Sequence, residues 1–85
     1  MSHKRLQTSR EVYHRLRWDP RLDAHDYVIG FDARGERMEE VLFWAFVPDG
    51  DIPWHRVWYF RRGPERVWDR RERIDRTDSL GPRVD

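Results

Sequence analysis

Ile52-Pro-Trp-His-Arg-Val-Trp-Tyr-Phe-Arg-Arg62, followed by Gly63-Pro64 and Glu65-Arg-Val-Trp-Asp-Arg70, is the stretch on which the reading of the fold turns. β-Branched and aromatic residues crowd both segments, and such side chains suit a pleated, half-buried surface. The short Gly-containing loop between them marks an antiparallel hairpin. On a strand from Pro53 to Arg61, alternation puts Trp54, Arg56, Trp58 and Phe60 on one face. His55, Val57, Tyr59 and Arg61 fall on the other. A core cannot take both faces without burying an Arg or a His, so one face is expected to present rings beside cations. Such a surface stacks bases and neutralises phosphates, as sites for single-stranded nucleic acid do. The alternative is a polar shell in which arginine stems merely cover exposed rings.

Upstream, Asp26-Tyr-Val-Ile-Gly-Phe-Asp32 reads as a strand with Tyr27, Ile29 and Phe31 on one face, and Gly30 marks a bulge or a close backbone approach. After a turn at Ala33-Arg34-Gly35-Glu36, the stretch from Glu40 to Val47 is almost continuously apolar and is expected to be a strand covered on both faces. Thr8-Ser9-Arg10-Glu11 matches a capping box, and Val12, Tyr13 and Leu16 give the helix that follows an apolar stripe. Asp19-Pro20 stops it, because the residue before a proline resists the α region. The expected fold class is α+β: one N-terminal helix over 8–18 packed on a roughly four-stranded antiparallel sheet or partial barrel. Residues 1–7 and 76–85 carry little apolar pattern and are expected to be disordered, leaving a single domain over 8–75.

A chain of 85 residues has room for one domain. Charged residues make up 39%, which alone points toward disorder, but aromatic residues at 14% supply enough large rings for a compact core. The absence of Cys excludes disulfides, thiolate nucleophiles and Cys-ligated zinc. Met1-Ser2-His3-Lys4-Arg5 leads into no apolar segment, and the longest apolar run, Val41 to Val47, is strand-length. Neither a secretory leader nor a membrane span is expected, and the cytoplasm is the default location. The net charge of +1 conceals segregation: residues 1–17 carry +4, 18–51 carry −6, 52–73 carry +4 and 74–85 carry −1. Of the 17 basic residues all but Lys4 are Arg, the side chain that forks around phosphate and stacks on rings. A coding bias toward arginine would leave the same count.

Catalytic patterns are thin. Ser and Thr lie only near the termini, and His3, His14, His25 and His55 show neither H-x-T/S nor H-E-x-x-H spacing. Asp23, His25 and Asp26 suit a solvated acidic turn better than a metal, and no cofactor is expected. His55, flanked by Arg56, is the residue best placed to act as an acid or base. Two further clusters mix rings, acids and arginines. In Val67-Trp68-Asp69-Arg70, Asp69 is suited to orient a nearby guanidinium. In Arg15-Leu-Arg-Trp-Asp-Pro-Arg21, Trp18 is expected in the core and Arg17 free to bind.

Taken together, Thr8-Ser-Arg-Glu-Val, Arg17-Trp-Asp-Pro-Arg-Leu22, Tyr27-Val-Ile-Gly-Phe, Ile52-Pro-Trp-His-Arg-Val, Tyr59-Phe-Arg-Arg, Val67-Trp-Asp-Arg and Arg73-Ile-Asp75 form a colinear set. In these motifs the chain resembles the RNA cyclic-group-end recognition domain, also called the RNA repair domain, over roughly residues 8–75. The resemblance implies a binding module for RNA termini ending in a 2′,3′-cyclic phosphate, working beside RNA repair or end-processing enzymes. It carries over to His55, Arg56, Arg70, the Arg17-Trp18-Asp19 corner and, more weakly, Arg34. Tyr59 and Trp68 are the rings expected to stack a base. The alternatives are a module that docks on an acidic protein partner and a His55-dependent phosphoesterase.

Overall fold

Thr8 caps the first element through its own chemistry. Its hydroxyl accepts from the Glu11 N–H at 3.1 Å, while the Glu11 carboxylate accepts from the Thr8 N–H at 2.9 Å. Two donors at the helix start that no intrahelical carbonyl can satisfy are thereby paired reciprocally. In the computed structural model, which describes residues 5–34 and 37–81, helix α1 spans Ser9–Trp18. Its stripe of Val12, Tyr13 and Leu16 is buried, each large apolar side chain contributing about 1.5–3 kcal/mol through removal from water.

The stripe packs on an open antiparallel sheet of five strands: β1 (Tyr27–Asp32), β2 (Met38–Leu42), β3 (Val57–Arg62), β4 (Glu65–Asp69) and β5 (Ile74–Asp75). The order is β2-β1-β3-β4-β5, so β2 and β5 are edges and no barrel closes. Tyr27 and Ile29 of β1, Phe60 of β3 and Trp68 of β4 meet α1 in one core, with Phe43 and Phe46 filling from the side. The fold is α+β as expected, with the two-residue β5 added to the four strands foreseen.

Two expected strands are shorter than their composition suggests. Glu40 to Val47 does not continue as a strand: β2 ends at Leu42, and Phe43–Ala45 forms a 3₁₀ turn. That turn sends Phe43 and Phe46, three residues apart, into the core while Trp44 and Val47 face solvent. An apolar run covered on both faces is thus an edge strand followed by a turn. The second correction falls on the deciding stretch itself. β3 begins at Val57, and Trp54–Arg56 is a 3₁₀ turn. Side chains capture the carbonyls that a ladder would have used: Ser9 Oγ donates to Trp54 O at 2.7 Å, and Arg70 donates to the carbonyls of Trp54 and His55 at 3.1 and 2.7 Å.

The alternation expected along β3 also fails, for a local reason. The β1–β3 register passes from Gly30↔Tyr59 to Phe31↔Val57, so Trp58 is an extra residue without a partner on β1. A bulge of this kind puts two successive side chains on one face. Trp58 and Tyr59 both line the sheet face away from α1, while Val57 and Phe60 are buried in the core. Gly30 is required opposite: a Cβ there would lie 2.0 Å from the Tyr59 ring. The glycine thus faces a bulge on the neighbouring strand, and what approaches it closely is a side-chain ring in place of the backbone approach expected.

The termini are tied down further than expected. Gln7 donates to Asp75 and Thr77 and receives Trp68 Nε1–H on its carbonyl at 3.0 Å. Leu6 packs on the core, and Leu80, 7% exposed, belongs to it. Residues 5–7 and 76–81 of the segments expected to be disordered thus lie against the fold, and the remaining positions of 1–7 and 76–85 lie outside the described residues. No helix among the described residues is long and apolar enough to cross a membrane.

Candidate nucleic-acid interface

Arginine dominates the surface, and its guanidiniums divide by what they touch. Arg70, at the end of β4, spends its fork on neutral backbone. One Nη donates to His55 O, and the other to Trp54 O and, at 3.5 Å, to Ser9 Oγ. No carboxylate pairs with it among the described residues, and burial alone lowers its pKa from the ordinary arginine value. The Trp-Asp-Arg segment acts as a set of anchors: Trp68 holds Gln7, Asp69 caps the following turn through Glu72 N–H and holds Arg66, and Arg70 holds the Trp54–Arg56 turn. Burial acts to raise the pKa of Asp69, but the Glu72 N–H and the Arg66 guanidinium outweigh it and keep the carboxyl below its usual range.

The turn that Arg70 fixes is the one that displays His55 and Arg56 to solvent. Arg56 lines an open cleft of about 510 Å³ between this turn and the end of β1, together with Arg34 and the partly exposed Phe31. Neither Arg34 nor Arg56 has an ion-pair partner among the described residues. Arg37, also in the lining, is held by Glu39 at 3.0 Å. Asp32, Glu39 and Asp51 complete the charged lining, three carboxylates to three guanidiniums.

The face away from α1 is a second charged surface. Glu40 of β2 accepts from Tyr59 Oη–H at 2.6 Å and from Arg61 Nε and Nη at 2.8 Å each. Those bonds, Arg61 first, hold the Glu40 carboxyl down at about 2, and burial, followed by the bond to Glu40, raises the Tyr59 hydroxyl. Arg66 lies 3.9 Å above the Tyr59 ring, a close cation–π contact.

The residues singled out from sequence therefore do not form one site. Arg34 and Arg56 share the cleft and His55 adjoins it, exposed. Arg70 stands behind the turn; it is no cross-strand neighbour of Arg56, because Arg56 precedes β3. Trp68 is 1% exposed and offers no face to a base, and the Tyr59 ring is covered by Arg66. Trp18, expected in the core, is 70% exposed beyond the apolar stripe, with the Arg17 guanidinium 4.9 Å from its ring. Asp19 of that corner is bound to Arg21 instead, which holds its carboxyl at about 2. Sequence reading missed Arg37 and the pairing of Trp58 with Arg71, whose guanidinium lies 5.4 Å from the indole. Nothing in residue order announces the bulge that exposes Trp58. His25 engages Asp23 at 3.0 Å, and no group of metal-ligating side chains occurs among the described residues.

The family model of the MJ1316 RNA cyclic group end recognition domain matches residues 6–70. The chain belongs to this family. The matched span reaches from Leu6 to Arg70, taking in every residue that lines the Arg34–Arg56 cleft and the clamp behind it. No solved structure matches the chain.

Proposed function

We propose that this domain binds RNA ends carrying a 2′,3′-cyclic phosphate, with the terminal phosphodiester between Arg34 and Arg56 and the terminal nucleoside toward Phe31. The observation that carries the reading is the pair of guanidiniums without ion-pair partners facing one cleft in a chain of this family. Guanidinium forks match phosphate oxygens, and such charge-assisted bonds are the strong ones. His55, exposed beside Arg56, supplies a further donor at the rim.

The carboxylates of the lining bear on which end is preferred. A cyclic phosphodiester carries one negative charge, whereas a terminal monoester carries about 1.5 to 2 near neutral pH. A cleft with three acids among its three arginines suits the lower charge. In this role the domain marks processed or damaged RNA ends for repair or processing enzymes that act separately, and the binding module itself leaves the end unchanged.

Titration of matched short RNAs ending in cyclic phosphate, 3′-phosphate or 3′-hydroxyl, each at two salt concentrations, tests the reading. The cyclic end should bind tightest, affinity should fall with salt as counterions compete for the arginines, and the ends should be recovered intact. Equal affinity for all three ends would overturn it.

A further inference from the structure

Beside the cleft lies a smaller pocket of about 170 Å³ on the sheet face away from α1, lined by Trp58, Tyr59, Met38, Arg66, Arg71 and residues of the 69–72 turn. We propose that this pocket receives the base of the nucleotide preceding the RNA end, stacked on the Trp58 indole and covered by Arg71; the proposal rests on the placement of the terminal phosphate given above.

Three observations point this way. The first is the ring: Trp58 is half-exposed because the bulge opposite Gly30 turns it out of the core, and Arg70 and Arg71 lie 5.6 and 5.4 Å from its centroid. Arg71 is exposed and has no ion-pair partner among the described residues, so its guanidinium is available to lie over a base seated on the indole. Stacking of this kind accepts any base, since every base has a π-face. The second is charge. Arg66 of the lining is spent on Asp69 and Glu72 offsets Arg71, so the pocket lacks the two uncommitted guanidiniums that the cleft offers a phosphate and suits an uncharged base. Met38, 44% exposed at the edge, adds an apolar wall.

The third is continuity with the cleft. Arg56 lines the cleft and Trp58 the pocket, two residues apart along the chain, a separation of roughly 6–7 Å in extended backbone. On the neighbouring strands Asp32 lines the cleft, and its cross-strand partner Met38 lines the pocket. The Arg56–Trp58 segment and the Asp32–Met38 pair each bridge the two sites, so a chain whose end lies at Arg56 passes over Trp58 next.

The test compares a nucleoside 2′,3′-cyclic monophosphate with a short oligoribonucleotide ending in the same group, on the full chain. The parent protein should bind the oligonucleotide more tightly. Trp58→Ala should weaken oligonucleotide binding by at least about fivefold, the lower end of the cost of one lost stack, and leave the mononucleotide unchanged. Trp58→Phe should retain most of the affinity, and Arg71→Ala should repeat the loss in smaller degree. Because Trp58→Ala touches the sheet, the same loss is sought on the parent protein with an abasic nucleotide before the end. If the abasic RNA binds the parent as well as the intact one, the pocket does not take a base, and the reading of the cleft survives. If neither cyclic ligand binds the parent, both fall together.

Discussion

Arg70 and Arg56 lie on either side of one 3₁₀ turn and do opposite things. Arg70 is half-buried and its donors end on the carbonyls of Trp54 and His55, so its work is finished inside the fold. Arg56 lines an open cleft, and with Arg34 it has no ion-pair partner among the described residues. The comparison teaches that an arginine beside tryptophans is no evidence of a ligand until its donors have been accounted for. It also explains how a short turn outside any strand can hold two solvent-facing side chains in place: the Trp54 ring packs against the core, and the guanidinium behind the turn replaces the ladder it lacks.

Mutation of each member should separate the roles. Arg70→Ala leaves the His55 carbonyl without its partner and should lower stability by about 2–3 kcal/mol, the scale for bonds to a charged donor, read as a shift of the urea midpoint. Arg70→Lys should not restore it, because an ammonium cannot span two carbonyls as a planar fork does. Arg56→Ala should leave the midpoint within about 0.5 kcal/mol of the parent. It should instead weaken binding of cyclic-ended RNA by roughly 1.5–3 kcal/mol. If Arg56→Ala unfolds the domain, or Arg70→Ala is as stable as the parent, the division fails.

The sheet face away from α1 sharpens the comparison, since Arg61 and Arg66 there are also spent, on Glu40 and Asp69. Gly30→Ala should cost about 1–3 kcal/mol, because the new methyl overlaps the Tyr59 ring and one of the two must shift. A smaller effect is expected from pH. The Glu40 carboxyl, ordinarily near 4.5, is held down at about 2 by Arg61 and Tyr59. A depressed carboxyl contributes stability that is present above its unfolded value and lost as pH falls through the folded one. Unfolding free energy should thus decline between about pH 4.5 and pH 2, and Glu40→Gln should flatten the decline. An unchanged slope in that variant would show that the Glu40 network contributes nothing to folding.

The elements legible in the sequence were those whose signals are local. The capping box at Thr8–Glu11, the stripe of Val12, Tyr13 and Leu16, the Gly63 turn and the special role of Gly30 each follow from a residue and its immediate neighbours. What could not be read depended on distant partners. Trp54–Arg56 is drawn out of the strand by Ser9 and Arg70, and Leu80 reaches a core whose other members end at Trp68. The candidate site was half legible for the same reason. His55, Arg56 and Arg34 are where solvent-facing chemistry was expected, whereas Trp68 and Arg70 carry the same residue types into structural work.

The guanidinium Nε–H resonances of the parent protein, followed by NMR during titration with a short RNA ending in a 2′,3′-cyclic phosphate, test this division most directly. The account predicts large shifts for Arg34 and Arg56 and a nearly stationary Arg70, whose bonds are already made. Movement of Arg70 with Arg34 and Arg56 silent would contradict it.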